Sequence, residues 1–411
     1  MVTPPIAPWN PEIMRITPLT ELTARSAKLQ AALRERQIDA AILVQNSDLF
    51  YFTGSIQRGL YYLPAEGEPI YFVFRDQGRA RMESGLYHVV PLDRLGNLSE
   101  KLGNYGLPVP GRIGLELDVL PVAEAERYAK VFPAAEMVNV TPPVRAVRSI
   151  KSPYELEIMK DCALIADRVY EHVKTLIRVG KTDHEVMAEL FGFALKEGHQ
   201  GLIRMRRFNA EMFFGHVFSG ADGAVPAHLD APLGGLGTTP AVGQGAGHKK
   251  IAANEPIIVD FIVAYDGYLV DQTRTLSIGP LSEKLQQAYA DMLDIQKLMF
   301  DLAGPGVGWS ELYYRCFERA CEMGYEEHFM GSGGSQVRFI GHGIGIEVDE
   351  YPFIAQGFDE QMLSPGMTFA FEPKAVFPGL GAVGIENTWR VAESGIKRLT
   401  YSQENLWELP Q

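Results

Sequence analysis

At 411 residues the chain is too long for one ordinary hydrophobic core, and roughly 100–200 residues per domain points to two domains. Hydrophobic residues at 46% and charged residues at 22% exclude a disordered or fibrous chain, and no apolar run approaches the ~20 residues of a membrane span. A formal charge of -13 opposes phosphate backbones and anionic lipid, so neither nucleic acid nor membrane is an expected partner.

The opening Met1-Val2-Thr3-Pro4-Pro5 lacks the basic segment and apolar stretch of a secretory signal, and a reducing cytoplasm is the expected location. With Pro8 and Pro11 following, the first dozen residues read as an extended arm. Apolar residues recur at helical spacing over 21–36, and 39–44 reads as a buried strand. Further strands fall at 71–75 and 112–117, with a helix at 122–131. This alternation predicts an α/β domain over 15–148, in which Tyr51-Phe52, Tyr61-Tyr62, Phe72 and Phe74 either pack the core, the first expectation, or lean over a partner subunit. Cys162, Cys316 and Cys321 form no CxxC and read as free thiols packed like small apolar residues.

A junction falls at 144–152, where Ser152-Pro153-Tyr154-Glu155 offers a capping hydroxyl, a proline at the first helical position and a carboxylate reaching back. Arg148 and Lys151 beside it read as solvated charges. Leu156, Met159, Ala163, Ala166, Val169, Val173 and Leu176 mark a long helix that Gly180 closes, and Thr182-Asp183-His184-Glu185 starts a second one through 195. Residues 219–247, dense in Gly, Pro and Ala, predict a long loop of the kind that lines a site. Strands at 256–265 and 268–278 flank Asp266-Gly267, a hairpin signal. Helices at 283–302 and 311–323, then strands at 367–374 and 382–391, complete a second domain over 150–411.

Within these strands the acids are out of place. Asp260 interrupts Ile257-Ile258-Val259 and Phe261-Ile262-Val263, Asp271 follows Tyr268-Leu269-Val270, and Glu372 and Glu386 sit among apolar or small residues. An ionised carboxylate buried alone costs several kcal/mol, so each needs a cation, a set of donors or a raised pKa. A salt bridge to Arg274 or a turn cap would answer one aspartate. His342, flanked by Gly341 and Gly343, would by itself read as a core or capping residue. Together the five make sense around a dinuclear centre: four carboxylates balance two divalent ions, and an oxygen-rich shell with one nitrogen suits Mn(II), Fe(II), Co(II) or Zn(II).

The order and setting of these residues resemble the pita-bread metallopeptidases, the family of prolidase, aminopeptidase P, methionine aminopeptidase and the metal-free creatinase. The resembling pieces are Asp260 through Gly267-Tyr268 to Asp271-Gln272-Thr273-Arg274-Thr275, Gly341-His342-Gly343-Ile344-Gly345, Pro365-Gly366-Met367 through Phe371-Glu372-Pro373, and Gly384-Ile385-Glu386-Asn387-Thr388. The resemblance spans nearly the whole chain. It implies a creatinase/prolidase-like α/β N-terminal domain, an α+β pita-bread C-terminal domain and a homodimer. It also implies that Asp260 chelates one metal, His342 and Glu372 hold the other, and Asp271 and Glu386 bridge both. The implied activity is that of a metal-dependent hydrolase, an Xaa-Pro dipeptidase or aminopeptidase with two divalent ions, Mn(II) first. A hydroxide shared by the ions attacks the peptide carbonyl, and Glu372 is the candidate for proton transfer.

Three departures bear on substrate. Where the family's peptidases carry a histidine seven residues beyond the metal ligand, this chain has Asp349, which when ionised only accepts hydrogen bonds. Four residues before the ligand it has Arg338, which reads first as a surface salt bridge and second as a group for a substrate carboxylate. The nearest candidate for the histidine ahead of the first aspartate strand is His228, and His216 also lies near the loop. The departures leave three readings: a peptidase on small peptides, a metal-dependent lyase or non-peptide hydrolase on a small molecule with Asp349 taking a proton, and a non-catalytic metal-binding homologue.

Overall fold

The computed structural model describes residues 15–411, and the proline-rich arm expected over the first dozen lies outside them. Among the described residues the chain forms two units, 15–148 with 206–210, and 149–205 with 211–411.

The first unit is built on a six-stranded sheet in the spatial order Val89–Pro91, Ile70–Val73, Gly59–Pro64, Ala40–Leu43, Arg112–Leu115, Glu136–Asn139. Ala40–Leu43 pairs antiparallel with Gly59–Pro64 and parallel with Arg112–Leu115, so the sheet is mixed. Ile42, Tyr62, Phe72 and Leu115 enter one core with Tyr128 of the helix Val122–Val131. Several elements escape the sequence pattern, among them the edge strands Val89–Pro91 and Glu136–Asn139. The strand Gly59–Pro64 is buried at every position and shows no alternation. The helix Asn46–Thr53 starts from the Gln45 side chain, which accepts from Ser47 N at 2.6 Å and Asp48 N at 3.1 Å.

That helix carries a fully buried Asp48, which pairs with Arg148 Nη1 at 2.7 Å and with Arg206. Arg148 is thus a buried charge rather than the solvated one its sequence setting suggested, because its partner stands 100 positions earlier. Burial alone would raise the Asp48 pKa, but Arg148 and Arg206 hold it well below the usual carboxylate range. Arg206 also grips Asp118, at 2.6 and 3.0 Å, and lies 3.7 Å from Glu116.

In the second unit the helices Pro153–Leu176 and Asp183–Lys196 both begin with the predicted reciprocal caps, Ser152 with Glu155 and Thr182 with Glu185. A four-stranded sheet follows in the order Trp407–Leu409, Tyr268–Ile278, Ile257–Tyr265, Gly215–Ser219. Asp266 and Gly267 take positive φ of 47° and 86°, the tight hairpin that Asp-Gly predicts. The second sheet runs Val348–Ala355, Phe339–Ile344, Thr368–Phe371, Asn387–Val391, Ile396–Arg398. Phe369, Phe371 and Trp389 of this sheet share a core with Tyr289, Met292 and Ile295 of the helix Glu283–Leu302 and with Leu312 and Cys316 of the helix Trp309–Glu322. Cys162 and Cys316 are buried free thiols. After Ser219, which ends the strand Gly215–Ser219, the glycine-rich stretch holds no helix or strand beyond a 3-10 turn at Gly220–Ala224. Among the described residues no helix is long and apolar enough to cross a membrane.

The two late strands expected over 367–374 and 382–391 each divide in two. Thr368–Phe371 pairs with Asn387–Val391 inside the five-stranded sheet, whereas Lys374–Phe377 pairs with Gly381–Gly384 in a separate ribbon. Pro373, with no N–H for a ladder, marks one break. Phe371 faces Asn387 and Lys374 faces Gly384, so Glu372 and Glu386 fall opposite one another at the breaks. Lys151 is also not the solvated charge expected: it is buried, with Nζ 2.9 Å from Glu350 Oε2, a partner 199 positions away. Glu350 Oε1 accepts from Ile346 N and Glu347 N at 2.9 and 3.1 Å, fixing the turn between His342 and Asp349.

Candidate metal centre

Register alone brings the first two acids together. Asp260 stands opposite Thr273 and Asp271 opposite Ile262, so the aspartates are diagonal neighbours on one face of the hairpin. On its other side Asp260 faces His216 of the strand Gly215–Ser219, which puts that imidazole on the same face. The segment carrying Glu386 is stitched to this hairpin. Asp271 N donates to Thr388 Oγ1 at 2.8 Å, Thr275 Oγ1 donates to Gly384 O at 2.8 Å, and Arg274 Nη1 donates to Glu386 O at 2.7 Å. Arg274 is spent on carbonyls and on Asn387 Oδ1 and is no counter-ion for the aspartates.

His342 reaches the same place from Phe339–Ile344, where register shifts interrupt the ladder. A Cβ at Gly341 would lie 2.5 Å from Ala370 O, and one at Gly343 2.4 Å from the Tyr351 backbone, so both positions require glycine. His342 Nδ1 lies 3.2 Å from Gly343 O. Donation there leaves the Nε2 lone pair facing inward, the tautomer a metal ligand needs. Nε2 stands 3.9 Å from Asp271 Oδ2, 3.7 Å from Glu372 Oε1 and 3.9 Å from Glu386 Oε1. One ligand atom each from Asp271, His342 and Glu386 lies within 4.8 Å of the others. Bonds of about 2.0–2.2 Å place the ligand atoms around one ion roughly 3–4 Å apart, so these residues fit a single divalent ion. Glu386 Oε1 is buried without a hydrogen-bond partner, as an atom awaiting a cation would be. Burial, then the Glu386 and Asp260 carboxylates, push the Asp271 pKa well above the ordinary range, with Lys374 pulling the other way. Burial likewise pushes Glu372 up to about 7 against the pull of Lys374.

Lys374 was missed by sequence reasoning. Its buried ammonium lies 3.1 Å from Asp260 Oδ2 and 3.3 Å from Glu386 Oε2, and it hydrogen-bonds Glu372 Oε2 more closely still. Burial would lower its pKa, but those three carboxylates together hold it well above the usual lysine value. The signal was present: a lone lysine in Phe369-Ala370-Phe371-Glu372-Pro373-Lys374-Ala375-Val376-Phe377, the same anomaly that picked out the acids.

A cavity opens over the centre, with Asp260, Asp271, His342, Glu372 and Glu386 in its floor. Asp349 lines it too, Oδ1 3.7 Å from His342 Nδ1, on a backbone with φ of 65°. His216 forms part of the wall, and burial lowers its pKa to about 4, so it is neutral near pH 7. Of the other expected residues, Arg338 lines a separate recess with Tyr313, Tyr314 and Phe317. His228 sits over Gly243, where a Cβ would come 2.9 Å from its Nδ1, and is not among the residues lining the cavity.

Comparison with known proteins reaches the same region. The pattern of metallopeptidase family M24 matches residues 157–393, and that of the Creatinase/Prolidase N-terminal domain matches residues 25–150. The Xaa-Pro dipeptidase of Pyrococcus furiosus is 28% identical over 384 residues, 93% of this chain and 99% of the relative. Among solved structures, the Xaa-Pro dipeptidase from Bacillus anthracis superposes with a TM-score of 0.80 at 27% identity, covering 94% of this chain and 100% of that one. The prolidase from Pyrococcus horikoshii gives 0.77 at 26%, covering 94% and 99%. The two matched patterns correspond to the architecture expected from the sequence, an α/β N-terminal domain and an α+β pita-bread domain.

Proposed function

This chain belongs to metallopeptidase family M24, and from that premise we propose that it is a metal-dependent Xaa-Pro dipeptidase acting on small peptides in the cytoplasm. The observation that carries the reading is the inward-facing cluster of Asp271, His342 and Glu386 in the floor of a cavity with apolar walls. The names of the similar proteins, Xaa-Pro dipeptidases of Pyrococcus furiosus and Bacillus anthracis, support the substrate class.

A divalent ion, Mn(II) before Fe(II), Co(II) or Zn(II), supplies when bound a Lewis acid and a water of lowered pKa. Asp271, His342 and Glu386 would hold it, and the contact of Nδ1 with Gly343 O keeps the His342 ring in register. Glu372, with one oxygen 3.7 Å from His342 Nε2 and the other on Lys374, would pass a proton to the leaving amine. His216, neutral in the wall, can donate an N–H to the substrate carbonyl oxygen, the role left open where Asp349 replaces a histidine. As a carboxylate Asp349 accepts only, so it suits the free ammonium of a dipeptide. Phe213, Phe218, Phe339 and Val348 give the proline ring an apolar wall and exclude water.

Asp349 in the cavity also favours a second reading, a lyase or non-peptide hydrolase in which it takes a proton from a small molecule. The Mn(II)-loaded protein assayed on Gly-Pro, Ala-Pro and longer Xaa-Pro-Xaa peptides separates the two. Cleavage of the dipeptides supports the proposal, and cleavage of longer peptides alone makes the chain an aminopeptidase. No turnover with metal bound overturns it in favour of the second reading. A homodimer belongs to the same proposal and is tested by light scattering after gel filtration.

A further inference from the structure

The sequence led to an expectation of two ions, with Asp260 chelating one of them, yet the place beside Asp260 is filled. Lys374 Nζ sits between Asp260 Oδ2 at 3.1 Å and Glu386 Oε2 at 3.3 Å and also binds Glu372. It therefore meets three of the four carboxylates a metal pair would share. Glu386 divides its oxygens: Oε2 takes Lys374 and, at 2.7 Å, Thr273 Oγ1, while Oε1 has no hydrogen-bond partner and lies 3.9 Å from His342 Nε2.

The lysine has little freedom to leave. Lys374 is paired with Gly384 across the ribbon, and a Cβ at Gly384 would come 2.6 Å from its Cγ, so the stem lies across the one residue that leaves room for it. The side chain is 1% exposed. A divalent ion added next to Asp260 would face an ammonium at close range in a low-dielectric site, where like charges repel strongly.

We infer that the Lys374 ammonium takes the place of one of the two ions, so that the centre holds a single divalent ion between Asp271, His342 and Glu386, with Glu372 at its side. This rests on the metal-dependent part of the proposed function and is independent of the substrate. Asp260 is then the partner of Lys374 rather than a metal ligand.

The test counts ions. The protein is stripped with a chelator, titrated with Mn(II), freed of excess by gel filtration, and examined by metal analysis and electron paramagnetic resonance. One Mn(II) per chain with the spectrum of an isolated ion is expected for the wild type, and two per chain with a spin-coupled spectrum for Lys374→Gly. Asp260→Asn should keep one ion, with affinity changed less than about tenfold. Two ions or none in the wild type overturns the inference, as does loss of the ion in Asp260→Asn or a folded Lys374→Gly that still takes only one. Should Lys374→Gly not fold, the wild-type count and Asp260→Asn still decide. One ion bound without Xaa-Pro cleavage would sink the substrate reading and leave this inference standing.

Discussion

Each unit of the molecule buries a cluster of charges, and the two settle their accounts differently. In the first, Asp48, Glu116 and Asp118 meet Arg148 and Arg206. Burial and the nearby Asp48 charge push the Glu116 pKa well above the carboxylate range, while two guanidinium groups pair with Asp48 and Asp118. In the second, Asp260, Asp271, Glu372 and Glu386 face one ammonium, and a buried oxygen of Glu386 has no donor. Glu116 Oε1 in the first cluster is also buried without a donor, but it lies 3.7 Å from Arg206 Nη2, so a cluster that serves the fold supplies its own cations. One that serves a reaction stays short of positive charge, and the shortfall selects what it admits.

The largest effect is expected where that shortfall is read out. Asp271→Ala should abolish uptake of the ion and lower kcat/KM by at least ~10³-fold, about 4 kcal/mol of transition-state stabilisation. Metal analysis beside peptide turnover checks it, and survival of either property would show that Asp271 is not a ligand.

The two clusters should also answer differently to the loss of a cation. Arg148→Ala leaves Asp48 buried without one of its two guanidinium partners, at a cost of about 3 kcal/mol that added Mn(II) does not restore. Lys374→Ala destabilises the chelator-treated protein in the same way, but there Mn(II) should bring back most of the lost Tm, because an ion that binds only the folded chain stabilises it. Thermal unfolding with and without Mn(II) makes the comparison. Recovery in both variants, or in neither, would erase the distinction between a closed cluster and an open one.

Why some of this was legible in the sequence follows from where the information lies. An aspartate inside Ile257-Ile258-Val259-Asp260-Phe261 announces its burial locally, and the Asp-Gly turn then fixes its register against Asp271. The pairs Arg148 with Asp48 and Lys151 with Glu350 join residues 100 and 199 positions apart, and nothing beside either cation names its partner. The breaks at Glu372 and Glu386 were invisible for a related reason: an apolar run keeps its pattern while the chain passes from one sheet to another. His216 appeared only as a histidine near a loop until its register placed it opposite Asp260.

His216 supplies a smaller test within the open cluster. Its imidazole lines the cavity and binds no ion in the proposed arrangement, so His216→Gln should lower kcat by about 10²-fold with the metal count unchanged. Burial holds its pKa near 4, so the pH profile between 5 and 8 should keep its shape in the variant. A shifted acidic limb would mean that the group titrating there is His216 itself.

The smallest expected effect lies at the rim of the closed cluster. Asp118 receives Arg206 Nε at 2.6 Å and the Thr141 hydroxyl at 2.5 Å, and its side chain is 30% exposed, so solvent screens the pair. Asp118→Asn should therefore cost about 0.5–1 kcal/mol at neutral pH. Burial opposes ionisation of Asp118, but the bonds from Arg206 and Thr141 outweigh it and its folded pKa is depressed. A depressed carboxylate contributes stability above its unfolded value of about 3.9 and loses it as pH falls through the folded value. Urea unfolding of both proteins should thus show a gap that is steady from pH 7 to about 5 and closes in stronger acid. A gap that persisted there would assign the contact to packing and the neutral hydrogen bond, and the cluster in the first unit could no longer be called balanced by charge.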